Sequence, residues 1–186
     1  MRTDTRTRMV EATVAALQRH GVAGMSFTEV LKESGAARGA IYHHFPGGKA
    51  QLVAEAATRN GHDVRANLAE LPADSPRSVV EAFLAAVRPV VEAATTGGGC
   101  AVAAVTVEEG EGDNSALREV ASVAFASWID QVAERLTAAG LDPEDAIDLA
   151  TTLITLLEGA QVLCRAAGDL KPFDRTVRTA LALVPA

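Results

Sequence analysis

Residues 26–52 read SFTEVLKESGAARGAIYHHFPGGKAQL, and this stretch decides the fold. Ser26 stands three residues ahead of Glu29, the spacing of a capping box at a helix N-terminus. The helix it opens is short because Gly35 follows, and Val30 and Leu31 are its inward side chains. A second short helix is predicted from about Ala37 to Phe45, stopped by Pro46-Gly47-Gly48. Two short helices joined by a glycine-containing turn form a helix-turn-helix, whose second helix enters the major groove of DNA.

The side chains of that second helix divide by direction. Ile41 and Phe45 are four apart and apolar, so they dock the helix on its own core. Arg38, Gly39, Ala40, Tyr42, His43 and His44 are left facing outward. Arg38 is expected in the first turn of the helix, where it either pairs with guanine O6/N7 or clamps a phosphate. Gly39 and Ala40 are small enough for close approach to the groove floor. Tyr42 and His44 are donors suited to phosphate oxygens, as is Thr28 at the start of the preceding helix. Lys49 opens the next helix, where a cation and unpaired backbone N–H groups both attract a phosphate. His43 and His44 are adjacent and point apart on a helix, which makes them a poor metal pair.

The segment resembles the DNA-binding domain of the TetR family of repressors. The family pattern appears as Ser34-Gly35, then Tyr42-His43-His44-Phe45, then Lys49-Ala50-Gln51-Leu52. The first helix also matches, with Arg6 near its start and Gly21 at its close. Two departures stand out. The family has Ser or Thr at the cap of the recognition helix where this chain has Ala37, so a hydroxyl–phosphate contact is lost. The Phe45–Lys49 spacing is one residue longer than usual. That spacing, with the run Gly99-Cys100-Ala101-Val102-Ala103-Ala104, resembles the LmrA/YxaF-like subgroup, whose members repress genes for multidrug efflux or ligand-handling enzymes.

Outward from this stretch the chain reads as helical throughout. Apolar residues recur at helical spacing from Arg6 to His20, with Val10, Val14 and Leu17 on one line. A helix from Lys49 carries Leu52, Val53, Ala56 and Ala57, with Gly61 weakening its middle. Residues 71–76, Leu-Pro-Ala-Asp-Ser-Pro, form a linker. An apolar helix follows with Val79, Val80, Phe83, Leu84, Val87 and Val91, and Gly97-Gly98-Gly99 breaks it. Cys100 to Val107 fits strand or buried helix by periodicity, and the lack of a partner strand favours helix. Glu108 to Asn114 reads as a solvated acidic loop. Two long helices, about Ser115–Ala139 and Pro143–Ala167, are joined by Gly140-Leu141-Asp142, with Asp142 as N-cap and Pro143 at N1. A last helix spans about Asp174–Leu183. The expected fold is all-α. A three-helix helix-turn-helix domain occupies residues 1–48, a connecting helix 49–70, and a helical ligand-binding and dimerisation domain 77–186.

Charge supports this division. The net charge of −7 argues superficially against a nucleic-acid partner. Residues 1–60, however, carry eight Lys/Arg against five Asp/Glu, while residues 61–186 carry nine against nineteen. Charge segregation of this kind suggests a polyanion-facing N-terminal module on an acidic body.

The resemblance implies a C-terminal cavity and two helices pairing across a two-fold axis; the two long helices are the candidates. Candidate cavity residues are Phe83, Val87, Val91, Cys100, Phe125, Trp128, Leu157, Glu158 and Cys164, which are large, polarisable or polar groups on the apolar helices. Trp128 is either a pocket wall or a core anchor, and Glu158 either faces a cationic or polar ligand or is solvated. Cys100 and Cys164 lack metal-ligand spacing. They are reduced thiols of a cytosolic protein, or a thiol switch in a redox- or ligand-sensing protein, the alternative reading of the chain. The apolar run from Leu149 to Cys164 is broken by Glu158 and Gln161, too short and polar to span a bilayer. No catalytic triad, Walker loop or dinucleotide fingerprint is present, and no metal or cofactor is expected. The expected protein is a cytoplasmic, homodimeric repressor. It binds a palindromic double-stranded DNA operator and releases it on binding a small hydrophobic or aromatic effector.

Overall fold

The computed structural model describes residues 4–107 and 115–184. The acidic stretch Glu108–Asn114 lies outside the described residues. All regular structure among the described residues is helical, which agrees with the all-α expectation. The elements are α1 (Thr5–Gly24), α2 (Phe27–Ser34), α3 (Ala40–His44), α4 (Gly48–Ala69), α5 (Pro76–Ala94), α6 (Ala101–Ala104), α7 (Ser115–Ala138), α8 (Pro143–Ala167) and α9 (Lys171–Leu183).

The helices form two compact units that interleave along the chain. The first holds α1 to α3, α4 as far as His62, then α6 and the start of α7 through Ala124. The second holds the end of α4, α5, α7 from Phe125, α8 and α9.

In the first unit, α1 packs against α2 and α6. Met9, Ala16 and Leu17 come from one face of α1 and are buried with Val30, Ile41, Phe45, Leu52 and Val53. Burying a side chain such as Phe45 contributes roughly 1.5–3 kcal/mol. The first helix keeps helical backbone angles to His20 and breaks at Gly21, whose backbone leaves the helical region (φ 66°, ψ −176°). A further turn ends at Gly24, with Met25 N–H donating to the Gly21 carbonyl at 3.2 Å.

In the second unit, α5, α8 and α9 pack mutually around Val79, Val80, Phe83, Leu153 and Phe173. α5 begins with a reciprocal cap. Ser78 N–H donates to Ser75 Oγ at 3.1 Å, and Ser75 N–H donates to Ser78 Oγ at 3.0 Å. Pro76 occupies the first turn, where its missing N–H costs nothing. α8 starts as expected, with Glu144 N–H donating to the Asp142 carboxylate at 3.0 Å. Its end is closed by Gly168 N–H bonding the Cys164 carbonyl at 2.9 Å. Arg88 fastens α5 to α9, pairing with Asp174 at 2.9 Å and lying 5.9 Å from the centre of the Phe173 ring.

α8 is long and apolar enough, by length and composition, to cross a membrane. Its face of Ala146, Ala150, Leu153, Ile154, Leu157, Ala160 and Cys164 is buried in the second unit, as for a core helix.

Candidate nucleic-acid interface

The α2–turn–α3 unit is set by its caps. Ser26 Oγ accepts from Glu29 N–H at 3.2 Å, which starts α2. The Glu29 carboxylate does not complete the box. It bonds Arg19 and His20 instead, each at 3.1 Å, and the Arg19 hydrogen bond holds it below the ordinary glutamate range. Arg19 also reaches Glu33 at 2.6 Å, so this cation joins α1 to α2. α2 ends at Gly35, whose left-handed backbone (φ 64°, ψ 24°) is strained for any residue with a Cβ. Ala36 N–H then donates back to the Leu31 carbonyl at 3.1 Å, the terminal bond that turns the chain.

α3 begins later than the sequence suggests. Ala37 to Gly39 form a turn, closed by Ala40 N–H donating to the Ala37 carbonyl at 2.9 Å, and the α-helix proper starts at Ala40. Arg38 therefore sits in the turn that leads into the recognition helix and not in its first turn. The docking pair is as expected: Ile41 and Phe45 are fully buried. Phe45 is pinned from the other side by the Arg6 guanidinium, 5.1 Å from the ring centre, and Arg6 also pairs with Glu55 on α4. Arg8 Nε donates to the Ser34 carbonyl at 2.9 Å, placing a cation on the C-terminal end of α2, where the helix dipole favours it.

These bonds sort the basic groups of the first unit. Arg6, Arg8 and Arg19 hold helices together. Arg38 is exposed and Lys49 half-buried, and neither makes an ion pair among the described residues. Tyr42 is 67% exposed, its ring edge-on to Phe27 with centroids 6.2 Å apart. His43 is exposed and His44 half-buried, and their rings meet edge to face at 5.0 Å. Gly39 and Thr28 are exposed, Ala40 half-buried. The structure thus gathers the predicted DNA-contact residues on α2, the turn, α3 and the start of α4. Gly47 N–H donates to Gln51 Oε1 at 2.8 Å, fixing the lengthened Phe45–Lys49 corner.

The candidate cavity residues divide differently. Phe83, Val87 and Val91 lie one turn apart on α5 and are all buried. Trp128 is buried and Phe125 half-buried on α7, their rings edge to face at 5.1 Å. Leu157 and Cys164 are buried on α8, with Glu158 half-buried beside them. All of these belong to the second unit. Cys100 belongs to the first, where it caps α6: Ala103 N–H donates to its Sγ at 3.3 Å. No group of three His, Cys, Asp or Glu stands close enough to hold a metal among the described residues.

Comparison with known proteins places this geometry. Residues 9–56 match the family model of bacterial regulatory proteins of the TetR family. Residues 76–179 match that of the LmrA/YxaF-like transcriptional regulator C-terminal domain. A relative from Mycobacterium tuberculosis, described as an uncharacterised HTH-type transcriptional regulator, is 36% identical over 173 residues, covering 91% of this chain and 88% of its own. A TetR regulator from Legionella pneumophila shares the fold, with a TM-score of 0.82, 19% identity and full coverage of both chains. A cysteine variant of the TetR-family regulator CifR, solved on 26-base-pair double-stranded operator DNA, aligns with a TM-score of 0.73 and 23% identity over 100% of this chain and 99% of that one.

Proposed function

The chain belongs to the TetR family of transcriptional regulators, and from that premise we propose that it is a homodimeric, cytoplasmic repressor that leaves its operator when a small hydrophobic or aromatic effector enters the C-terminal half. Members of the family are regulators and not enzymes. Residues 1–48 form the DNA-binding domain, 49–70 the connecting helix, whose Lys49 joins the DNA contacts, and 77–186 the effector-binding and dimerisation domain.

One observation carries the DNA reading. The first unit ties Arg6, Arg8 and Arg19 to internal partners and leaves the Arg38–Tyr42–His43–His44 face with none among its described neighbours but aromatic edges. A surface that presents donors on a short helix, with Gly39 and Ala40 offering no bulk, suits a groove. The operator complex of CifR supports the same use here. Two recognition helices about one DNA turn apart, ~34–36 Å, read a palindromic site.

Dimerisation is supported by α8. Opposite its buried face, Ile147, Val162 and Leu163 are 42%, 65% and 57% exposed, with Thr151, Thr155 and Gly159 between them. Small residues flanked by apolar ones permit a second copy to pack closely. The effector then acts by binding one dimer state better than the other, and it releases DNA only to the extent of that difference. The α5 and α7 aromatic groups, Phe83, Phe125 and Trp128, are the proposed effector contacts.

The test is a gel shift with the DNA upstream of the chain's own gene. A shift that survives excess non-specific competitor, with a footprint of two-fold symmetry, is expected. Binding no tighter than to competitor DNA would remove the operator role.

A further inference from the structure

Four polar side chains are buried among the described residues: Thr13, Ser34, Gln131 and Gln161. Three are paid their hydrogen bonds within the chain. Thr13 Oγ1 donates to the Met9 carbonyl at 2.8 Å, Ser34 Oγ to the Leu31 carbonyl at 3.3 Å, and Gln131 Nε2 to the Glu134 carboxylate at 3.0 Å. Gln161 is the exception. It is 4% exposed, and neither its Oε1 nor its Nε2 has a hydrogen-bond partner among the described residues.

Its place on α8 makes this pointed. Ala150, Ile154, Leu157, Gln161 and Cys164 follow one another at four- and three-residue steps, one continuous buried stripe. Every other member of the stripe is apolar or a thiol. A glutamine there gives up its water on folding and gains no hydrogen bond in return from the described residues. A second copy seated on the exposed face of α8 does not serve it either, since Gln161 is already covered within one chain.

We propose that Gln161 is the polar recognition group for the effector of the C-terminal half, and that it selects a neutral, planar molecule carrying adjacent hydrogen-bond donor and acceptor atoms, such as a lactam or a primary carboxamide. This rests on the effector reading above and adds its chemistry. The Gln161 amide offers an acceptor in Oε1 and a donor in Nε2, side by side and coplanar. A cis-amide edge complements both at once. A side-chain amide presents dipoles and no net charge, so a neutral ligand sacrifices the least solvation on entry. Leu157 and Cys164, one turn to either side, supply the apolar flank for the rest of a flat ligand.

The experiment uses the full chain and two probes, 2-quinolone and N-methyl-2-quinolone, in which the donor is blocked. Binding is measured by calorimetry without DNA, on the parent, Gln161→Leu and the unbranched Gln161→Met. The parent should prefer 2-quinolone by about tenfold, the effect of one hydrogen-bonded pair in a buried site. Either variant should bind the two probes equally. Without probe, both variants should melt no lower than the parent, because an unpaired buried amide has been replaced by an apolar group of similar size. A melting point that falls in both variants would mean the amide is satisfied inside the fold, and it overturns the assignment. So does equal binding of the two probes, or no binding of either, by the parent. Operator release is scored separately. A Gln161-dependent preference with no release leaves this inference standing and removes the effector-release step of the proposed function.

Discussion

Arg38 carries the largest single wager at the residue scale. Its position in the turn before α3, with no ion pair among the described residues, leaves two uses open: a bidentate bond to guanine or a clamp on the backbone. They differ in what Arg38→Ala does. A base reader costs roughly 1–3 kcal/mol at one operator position and relaxes preference there. A clamp weakens all sequences alike. Affinities measured on an operator series with each base pair changed in turn decide between them, and an unchanged affinity throughout would remove Arg38 from the interface. Lys49→Gln should act only as a clamp, lowering the slope of log K against log salt by about one per subunit. The sequence made these side chains visible because outward-facing polar groups at helical spacing need no tertiary information to spot. It did not reveal Arg6 and Arg8 as braces, since their partners, Glu55 and the Ser34 carbonyl, lie 49 and 26 residues away.

Elements were legible where caps are local. Ser26, Asp142 and Pro143 mark helix starts that the structure keeps, because each acts on backbone groups within its own turn. The start of α3 departs from the sequence expectation for the opposite reason. Ala36 and Ala37 favour helix by propensity, yet the chain spends them on leaving the Gly35 turn, and helix begins only at Ala40. Gly61 posed a similar puzzle, a glycine in mid-helix that costs ~1 kcal/mol against alanine. The structure explains it by close approach. A Cβ at Gly61 would stand 2.9 Å from the Cβ of Ala124 on α7, and an alanine methyl has no rotamer by which to retreat. Gly61→Ala should therefore destabilise by about 1–3 kcal/mol despite its better propensity. Adding Ala124→Gly should recover most of that loss. Chemical denaturation of the four proteins of this cycle gives the coupling. A Gly61→Ala protein more stable than the parent would show that the two helices do not need the gap.

At the scale of the whole molecule, the net charge of −7 and the apolar run within α8 both misled when averaged and informed when divided. The charge splits into a basic start and an acidic remainder. α8 splits into a buried stripe and an exposed one, and its exposed Val162 and Leu163 could not be told from core residues by hydropathy alone. Nor could Gln161, a polar interruption by sequence that its burial alone sets apart. If the exposed stripe is the dimer contact, it also sets operator affinity, because a dimer binds its second half-site at the high effective concentration conferred by the first. Leu163→Asp puts a carboxylate from each copy into that contact and should leave a folded monomer by sedimentation. That monomer should bind a single half-site, lose about 100-fold or more of operator affinity, and show close to half the parent's salt slope, since half the phosphate contacts remain. The halved slope separates loss of the partner from damage to the DNA face, which would lower the slope of an intact dimer. A Leu163→Asp protein that sediments as a dimer with parental affinity would move the interface off this face of α8.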